Sequence, residues 1–169
     1  LKDEDYWEKL GCPRRLGKRR DNAYLTVDYT LYNYLTLKLN AEVHEKFLSD
    51  PEFYKHHTLF IEFARGRTGA YLMTFNELFD KGVMSNSAIF FLDNTFEESM
   101  RRNEVRATEK DKHQTILNHK IPIEVMEYYY QTHDWYELTN KKSHGYIHAQ
   151  GLKIPFVTVW NIPEIHDFK

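Results

Sequence analysis

The sequence predicts an α/β fold: a single domain over residues 1–169, built on a three-layer, mostly parallel sheet flanked by helices. Three apolar runs carry the reading, 59–64 (LFIEFA), 88–92 (AIFFL) and 155–160 (PFVTVW). Each is continuous rather than alternating, the pattern of strands covered on both faces, as in parallel sheets. Helical text lies between them at the spacing of strand–helix–strand units. A chain of 169 residues is long enough to bury a core of that kind.

The elements follow in order. A short helix is expected near 3–10, then a loop, because two glycines and a proline interrupt "GCPRRLGKRR". Between 26 and 48, Leu31, Leu35, Leu39, Val43 and Phe47 recur every fourth residue and predict one helix, with Thr26 or Asp28 as its cap. After the run at 59–64, residues 71–81, 95–110 and 123–131 read as helices, the last opening behind Pro122. The connection from the second apolar run to the third is long. Its most loop-like part, "TNKKSHGYIHAQG", predicts a loop excursion over 139–152.

Composition narrows the function. Hydrophobic residues make up 41% and charged residues 28%, a globular rather than a disordered balance. A formal net charge of -2 does not suggest a dedicated nucleic-acid or membrane binder. No run approaches the roughly 18 apolar residues of a membrane span, and no signal peptide is read. The single cysteine, Cys12, excludes an internal disulfide framework and fits a reducing compartment, so a cytoplasmic location is expected. The text opens on Leu1 rather than Met, as a fragment or a processed product would.

Four groups of residues invite a chemical reading. Glu62, Arg65 and Arg67 lie in "FIEFARGRTG". A carboxylate inside a buried strand is costly unless paired, and the carboxyl end of such a strand lines the ligand crevice of open α/β sheets. The guanidinium forks that follow suit phosphate or carboxylate oxygens, although an internal Glu–Arg pair would account for the same text. In "FFLDNTFEESMRRNEVR", Thr95 and Glu98 fit a capping box, and Glu97–Arg101 and Glu98–Arg102 fit pairs one turn apart. Those pairs leave Arg106 unexplained, and arginines on a helix leaving a strand can also close over a transferring phosphoryl group. His144 and His148 have zinc-ligand spacing, but Gly145 argues for a loop and no metal is expected. The basic run at 13–20 (PRRLGKRR) could meet phosphates, and a solvated turn balanced by Asp3, Glu4 and Asp5 explains it as well.

The order of these parts resembles the P-loop nucleoside and nucleotide kinases. The residues that carry the likeness are "FIEFARG", "AIFFLDN" leading into "RRNEVR", and "IPFVTVWN", over roughly 59–161. The resemblance implies an ATP-dependent phosphotransferase with ATP and magnesium as cofactors and a small nucleoside or nucleotide as partner. It makes Glu62 the base on the acceptor hydroxyl and Arg65, Arg102 and Arg106 catalytic. Arg67, Arg101, Asp28, Tyr29 and Tyr32 become substrate-binding, with Phe63 helping the tyrosines stack a base. Residues 100–122 would form the lid. The family's G-x-x-x-x-G-K-[ST] loop does not occur in these residues, so the expectation is either a fragment whose first strand and loop lie upstream or a degenerate, divergent member of the family. The competing expectation is a non-catalytic interaction module that docks through the tyrosine-rich helix at 26–48.

Overall fold

The computed structural model describes residues 2–20, 23–26, 30–108 and 121–163, and these form a mixed α/β structure with two sheets. In chain order they are α1 (Lys2–Lys9), β1 (Gly17–Arg20), β2 (Ala23–Thr26) and α2 (Thr30–Val43), which continues as a π-helical turn (His44–Leu48). Next come α3 (Phe53–His56), α4 (Ala70–Met73) with a second π-helical turn (Thr74–Leu78), α5 (Lys81–Ser85), β3 (Ile89–Asp93) and α6 (Phe96–Thr108). The described chain ends with α7 (Ile123–Tyr130), α8 (Trp135–Leu138), β4 (His144–Ala149) and β5 (Leu152–Trp160).

The larger sheet has the order β3-β5-β4. β3 runs parallel to β5, with Ile89 opposite Phe156 and Asp93 opposite Trp160. β4 runs antiparallel to β5, so this sheet is mixed rather than mostly parallel. The expected loop over 139–152 is largely the hairpin β4–β5. Gln150 (φ 53) and Gly151 (φ 74) make its two-residue turn, since positive φ at both central positions matches the twist of the flanking strands.

Burial alternates along these strands, and it decides how the layers stack. Ile89, Phe91, Ile147, Ala149, Ile154 and Phe156 face inward. They meet Val43, Tyr71, Phe75, Phe79, Val83 and Met84 from the helical layer. Trp135, with 0% of its surface exposed, lies at the centre. Its ring stacks on Phe91 with centroids 4.4 Å apart, and its indole N–H donates to Thr158 Oγ1 at 2.8 Å. On the other face Phe90, Leu92, Tyr146 and Val157 are exposed. Among the described residues the helices therefore cover one face of the sheet. The continuous apolar runs did report side chains of apolar kind on both faces. They could not report whether both faces are covered.

The expected strand at 59–64 is corrected too. The segment is irregular, yet Leu59, Ile61 and Phe63 pack on the core while Phe60, Glu62 and Ala64 point out. Period-two burial without a ladder is strand-like side-chain placement lacking a backbone partner among the described residues. Phe60 is left 89% exposed.

Local sequence explains the helix ends. The helix expected at 71–81 breaks at Phe79, and Asp80 then caps α5 by accepting the Val83 N–H at 2.9 Å. In α2, Leu31 and Val43 are buried but Leu35 is about half exposed, so the stripe of fourth residues is not buried throughout. Thr36 occupies the buried face instead. The hairpin β1–β2 was not expected. Glu4 organises its approach by accepting the N–H groups of Arg15, Leu16 and Gly17 at 2.5, 2.6 and 2.9 Å. Arg14 pairs with Asp5 and Glu8, so part of the basic run is balanced by α1.

Candidate functional site

The site begins where the 59–64 segment leaves the core. Alternation turns Glu62 outward, so it is exposed rather than buried, and the expectation of a costly buried carboxylate falls away. Arg65 has the opposite fate. It is 5% exposed, and its guanidinium donates to the Tyr32 carbonyl at 2.9 Å, to Asn33 Oδ1 at 3.3 Å and to the Thr36 hydroxyl. Its backbone N–H donates to Tyr71 Oη at 3.3 Å. A planar fork that reaches three oxygens on one helix pins this loop to α2 while α4 holds its backbone.

Gly66 and Arg67 then press the chain against the end of α7. A β-carbon added to Gly66 would lie 1.5 Å from the Tyr129 carbonyl oxygen, so only glycine fits that approach. Arg67 takes the left-handed backbone region, φ 72, and its N–H donates to the Thr132 carbonyl at 2.6 Å. Its guanidinium lies over the Tyr128 ring, 4.8 Å from the centroid, with Nη1 3.4 Å from the hydroxyl. Tyr32 approaches Tyr129 with ring centroids 5.3 Å apart, and Thr26 Oγ1 donates to Tyr129 Oη at 3.3 Å. Three of the expected residues, Arg65, Arg67 and Tyr32, thus meet around α2, α4 and α7, with exposed Glu62 three residues before Arg65.

The second group stands at the carboxyl ends of the parallel pair β3 and β5. Asp93 is buried and accepts a hydrogen bond from the Tyr136 hydroxyl. Its carbonyl accepts the Asn161 N–H at 2.8 Å. Thr95 caps α6 by accepting the Glu98 N–H at 3.1 Å. Glu98 does not close the reciprocal half of a capping box through a described bond to Thr95. It takes Arg101 at 2.6 Å and Arg102 at 2.7 Å instead of sharing the arginines with Glu97. Those two hydrogen bonds, Arg101 first, pull the Glu98 carboxyl down to about 2. Arg102 also donates to the Asn161 carbonyl at 2.5 Å, fastening α6 to the end of β5. Asn103 exchanges both amide bonds with the backbone of Ile121, at 2.7 and 2.8 Å, which ties α6 to the approach of α7.

Asp28, Tyr29 and residues 109–120 of the expected lid lie outside the described residues. Arg106 falls within α6, and its side chain also lies outside them. His144 and His148 sit on one exposed face of β4, and among the described residues no group of histidine, cysteine and carboxylate side chains is arranged to hold a metal.

Sequence reading missed the triplet Asp134-Trp135-Tyr136, which knits three elements. Asp134 accepts the Tyr71 and Leu72 N–H groups at 3.0 and 2.9 Å, Trp135 fills the core, and Tyr136 reaches Asp93. The available signal was an aspartate directly before a short apolar helix. Tyr128 and Tyr129 were missed as well, inside a run of three tyrosines that reads as plain aromatic text.

Chemically, the first group offers an exposed carboxylate, a guanidinium stacked on an aromatic ring, and tyrosine hydroxyls. Compared with known protein families, with curated proteins and with solved structures, the chain matches none.

Proposed function

We propose that this chain is the acceptor-side part of an ATP-dependent phosphotransferase acting on a small nucleoside or nucleotide, within a three-layer fold of the P-loop kinase kind. Glu62 is the base on the acceptor hydroxyl, and Arg67 lies nearest the acceptor. ATP and magnesium would be held by a phosphate loop on a strand that this sequence does not contain. The observation that supports the reading is an open edge of β3 together with an irregular segment that lies on the same core without a described backbone partner. Residues 59–64 place Leu59, Ile61 and Phe63 on the same core as Ile89 and Phe91, yet no described strand pairs with them. Among the described residues β3 is paired on its β5 side only. A further strand pairing with either would satisfy its open backbone groups. In open α/β sheets the carboxyl ends of such strands line the ligand crevice.

The test is phosphoryl transfer from ATP to a panel of nucleosides and nucleoside monophosphates, using the natural polypeptide that carries this sequence. Glu62→Gln is expected to lower turnover by about 100-fold or more, the worth of a positioned general base, while thermal stability is unchanged. Full turnover in that variant rejects the role of Glu62. No transfer to any acceptor rejects the function.

A second reading has its own observation. α2 leaves Tyr34, Leu35 and Leu37 about half exposed, an apolar surface that suits a protein partner. Calorimetric titration separates the two. Heat with nucleotide supports the phosphotransferase, and its absence supports a docking module.

A further inference from the structure

We infer that the carboxyl end of α1 and the loop behind it form a contact surface for anionic lipid bilayers. Trp7 and Leu10 enter the interface, and Lys9, Arg15 and Lys18 meet the headgroups. The inference does not rest on the phosphotransferase reading and shares no residue with Glu62 or Arg67.

Three carboxylates of α1 are engaged within this unit. Glu4 is buried and accepts the N–H groups of Arg15, Leu16 and Gly17. Arg14 pairs with Asp5 and Glu8 and stands 3.8 Å from Glu4. Asp3 belongs to the first turn, at the opposite end of the helix from Leu10. The acidic text that would balance the basic run therefore meets Arg14 and the loop backbone. Lys9, Arg15 and Lys18 are exposed, and none has a carboxylate partner among the described residues. Positive charge is thus left over locally in a chain whose formal net charge is -2.

Large apolar side chains stand beside that charge. Gly11, at φ 79, ends α1, its N–H donating to the Glu8 carbonyl and the Cys12 N–H to the Trp7 carbonyl, both at 3.0 Å. Leu10 is left at the tip, 76% exposed. Tyr6 and Trp7 are also exposed, with Lys9 Nζ 5.6 Å from the Tyr6 ring and the Arg15 guanidinium 5.7 Å from the Trp7 ring. Aromatic rings of this kind suit an interface that is apolar on one side and wet on the other. Long basic side chains lie along apolar surface and carry their charge out to headgroups. Leu10 decides between anionic occupants. A polynucleotide or an acidic peptide would meet the cations and rings and leave the leucine in water, whereas a bilayer takes all three. Burial of a large apolar side chain strengthens binding about ten-fold or more. Each cation near an anionic leaflet adds about five-fold. Neither contribution holds the protein alone, and together they give weak, reversible attachment of the kind a single acyl chain provides.

Co-sedimentation of the natural polypeptide with phosphatidylcholine vesicles, plain or carrying about 30% phosphatidylserine, tests this. The mixed vesicles are expected to bind it about ten-fold or more tightly than the plain ones, and added salt should release it. Leu10→Ser is expected to weaken binding about ten-fold. The double change Arg15→Gln with Lys18→Gln is expected to weaken it about 25-fold on mixed vesicles and to leave plain vesicles unaffected. The replaced side chains are exposed, so the melting temperature should match the parent in every variant. No binding by the parent overturns the assignment, as does equal affinity for the two kinds of vesicle or an unchanged affinity in either variant. A single-stranded oligonucleotide bound as tightly as mixed vesicles, and equally by parent and Leu10→Ser, would make this a polyanion site and overturn the bilayer part. Absence of phosphoryl transfer bears on the phosphotransferase reading alone, and absence of vesicle binding bears on this inference alone.

Discussion

The hydroxyl of Tyr136 donates to the buried carboxylate of Asp93, joining a four-residue helix to the last residue of β3. The bond has an energetic and a pH consequence. Tyr136→Phe leaves Asp93 without that donor and is expected to cost about 1–3 kcal/mol in urea denaturation. In the folded protein the bond to Asp93, then burial, then the aspartate's charge push the phenol up to about 12 from its ordinary 10. A folded value above the unfolded one means a contribution complete below about pH 10 and lost as pH rises toward 12. Tyrosinate absorbance should show a late-titrating tyrosine that disappears in Tyr136→Phe. A spectrum unchanged by the substitution would count against the bond.

Glu98 carries the opposite sign. Its folded value, about 2, lies below the ordinary 4.5, so its contribution is present above pH 4.5 and lost as pH falls toward 2. The loss should loosen the attachment of α6 to β5, because Arg102 bonds both Glu98 and Asn161. Melting temperature measured between these limits should fall more steeply in the parent than in Glu98→Gln. Parallel curves would remove Glu98 from the account.

Gly66 is expected to be the least replaceable position of the candidate site. Alanine there sets a β-carbon against the Tyr129 carbonyl, backbone on backbone, and neither side can rotate away. The cost should exceed about 3 kcal/mol, beyond ordinary overpacking. Equilibrium unfolding measures it, and a loss below about 1 kcal/mol would mean that the loop stands off α7 in solution.

Arg65 separates structural from chemical roles. Arg65→Met strips donors from the Tyr32 carbonyl, Asn33 and Thr36 and is expected to destabilise by about 2 kcal/mol. Arg65→Lys should rescue little, because a single ammonium cannot span three acceptors in a plane. If Lys restores parental stability, the planar fork is not what holds α2 to the loop.

Much of the frame was legible in the sequence. β3, β5, α6 and α7 were readable from apolar runs, from Thr95 as a cap and from Pro122 before a helix. The β4–β5 hairpin was not, because its outward positions carry histidine, tyrosine and lysine, and its turn signal was a lone Gly151 behind an unremarkable Gln150. At the site, arginine was legible as a residue type but not as a role. Only packing distinguishes Arg65, buried against α2, from Arg67, exposed over a ring. Glu62 was read as buried because its neighbours in sequence are apolar, whereas alternation along an unpaired segment turns it to solvent.

The protein also carries an optical reporter. Trp135 is fully enclosed and stacked on Phe91, whereas Trp7 and Trp160 are about half exposed. Emission from the first belongs at the blue edge of the spectrum and lies beyond the reach of a collisional quencher such as acrylamide. The other two emit to the red and are quenched. With both red emitters replaced by phenylalanine, the remaining fluorescence reads the junction of β3, α8 and β5 directly, without an added dye.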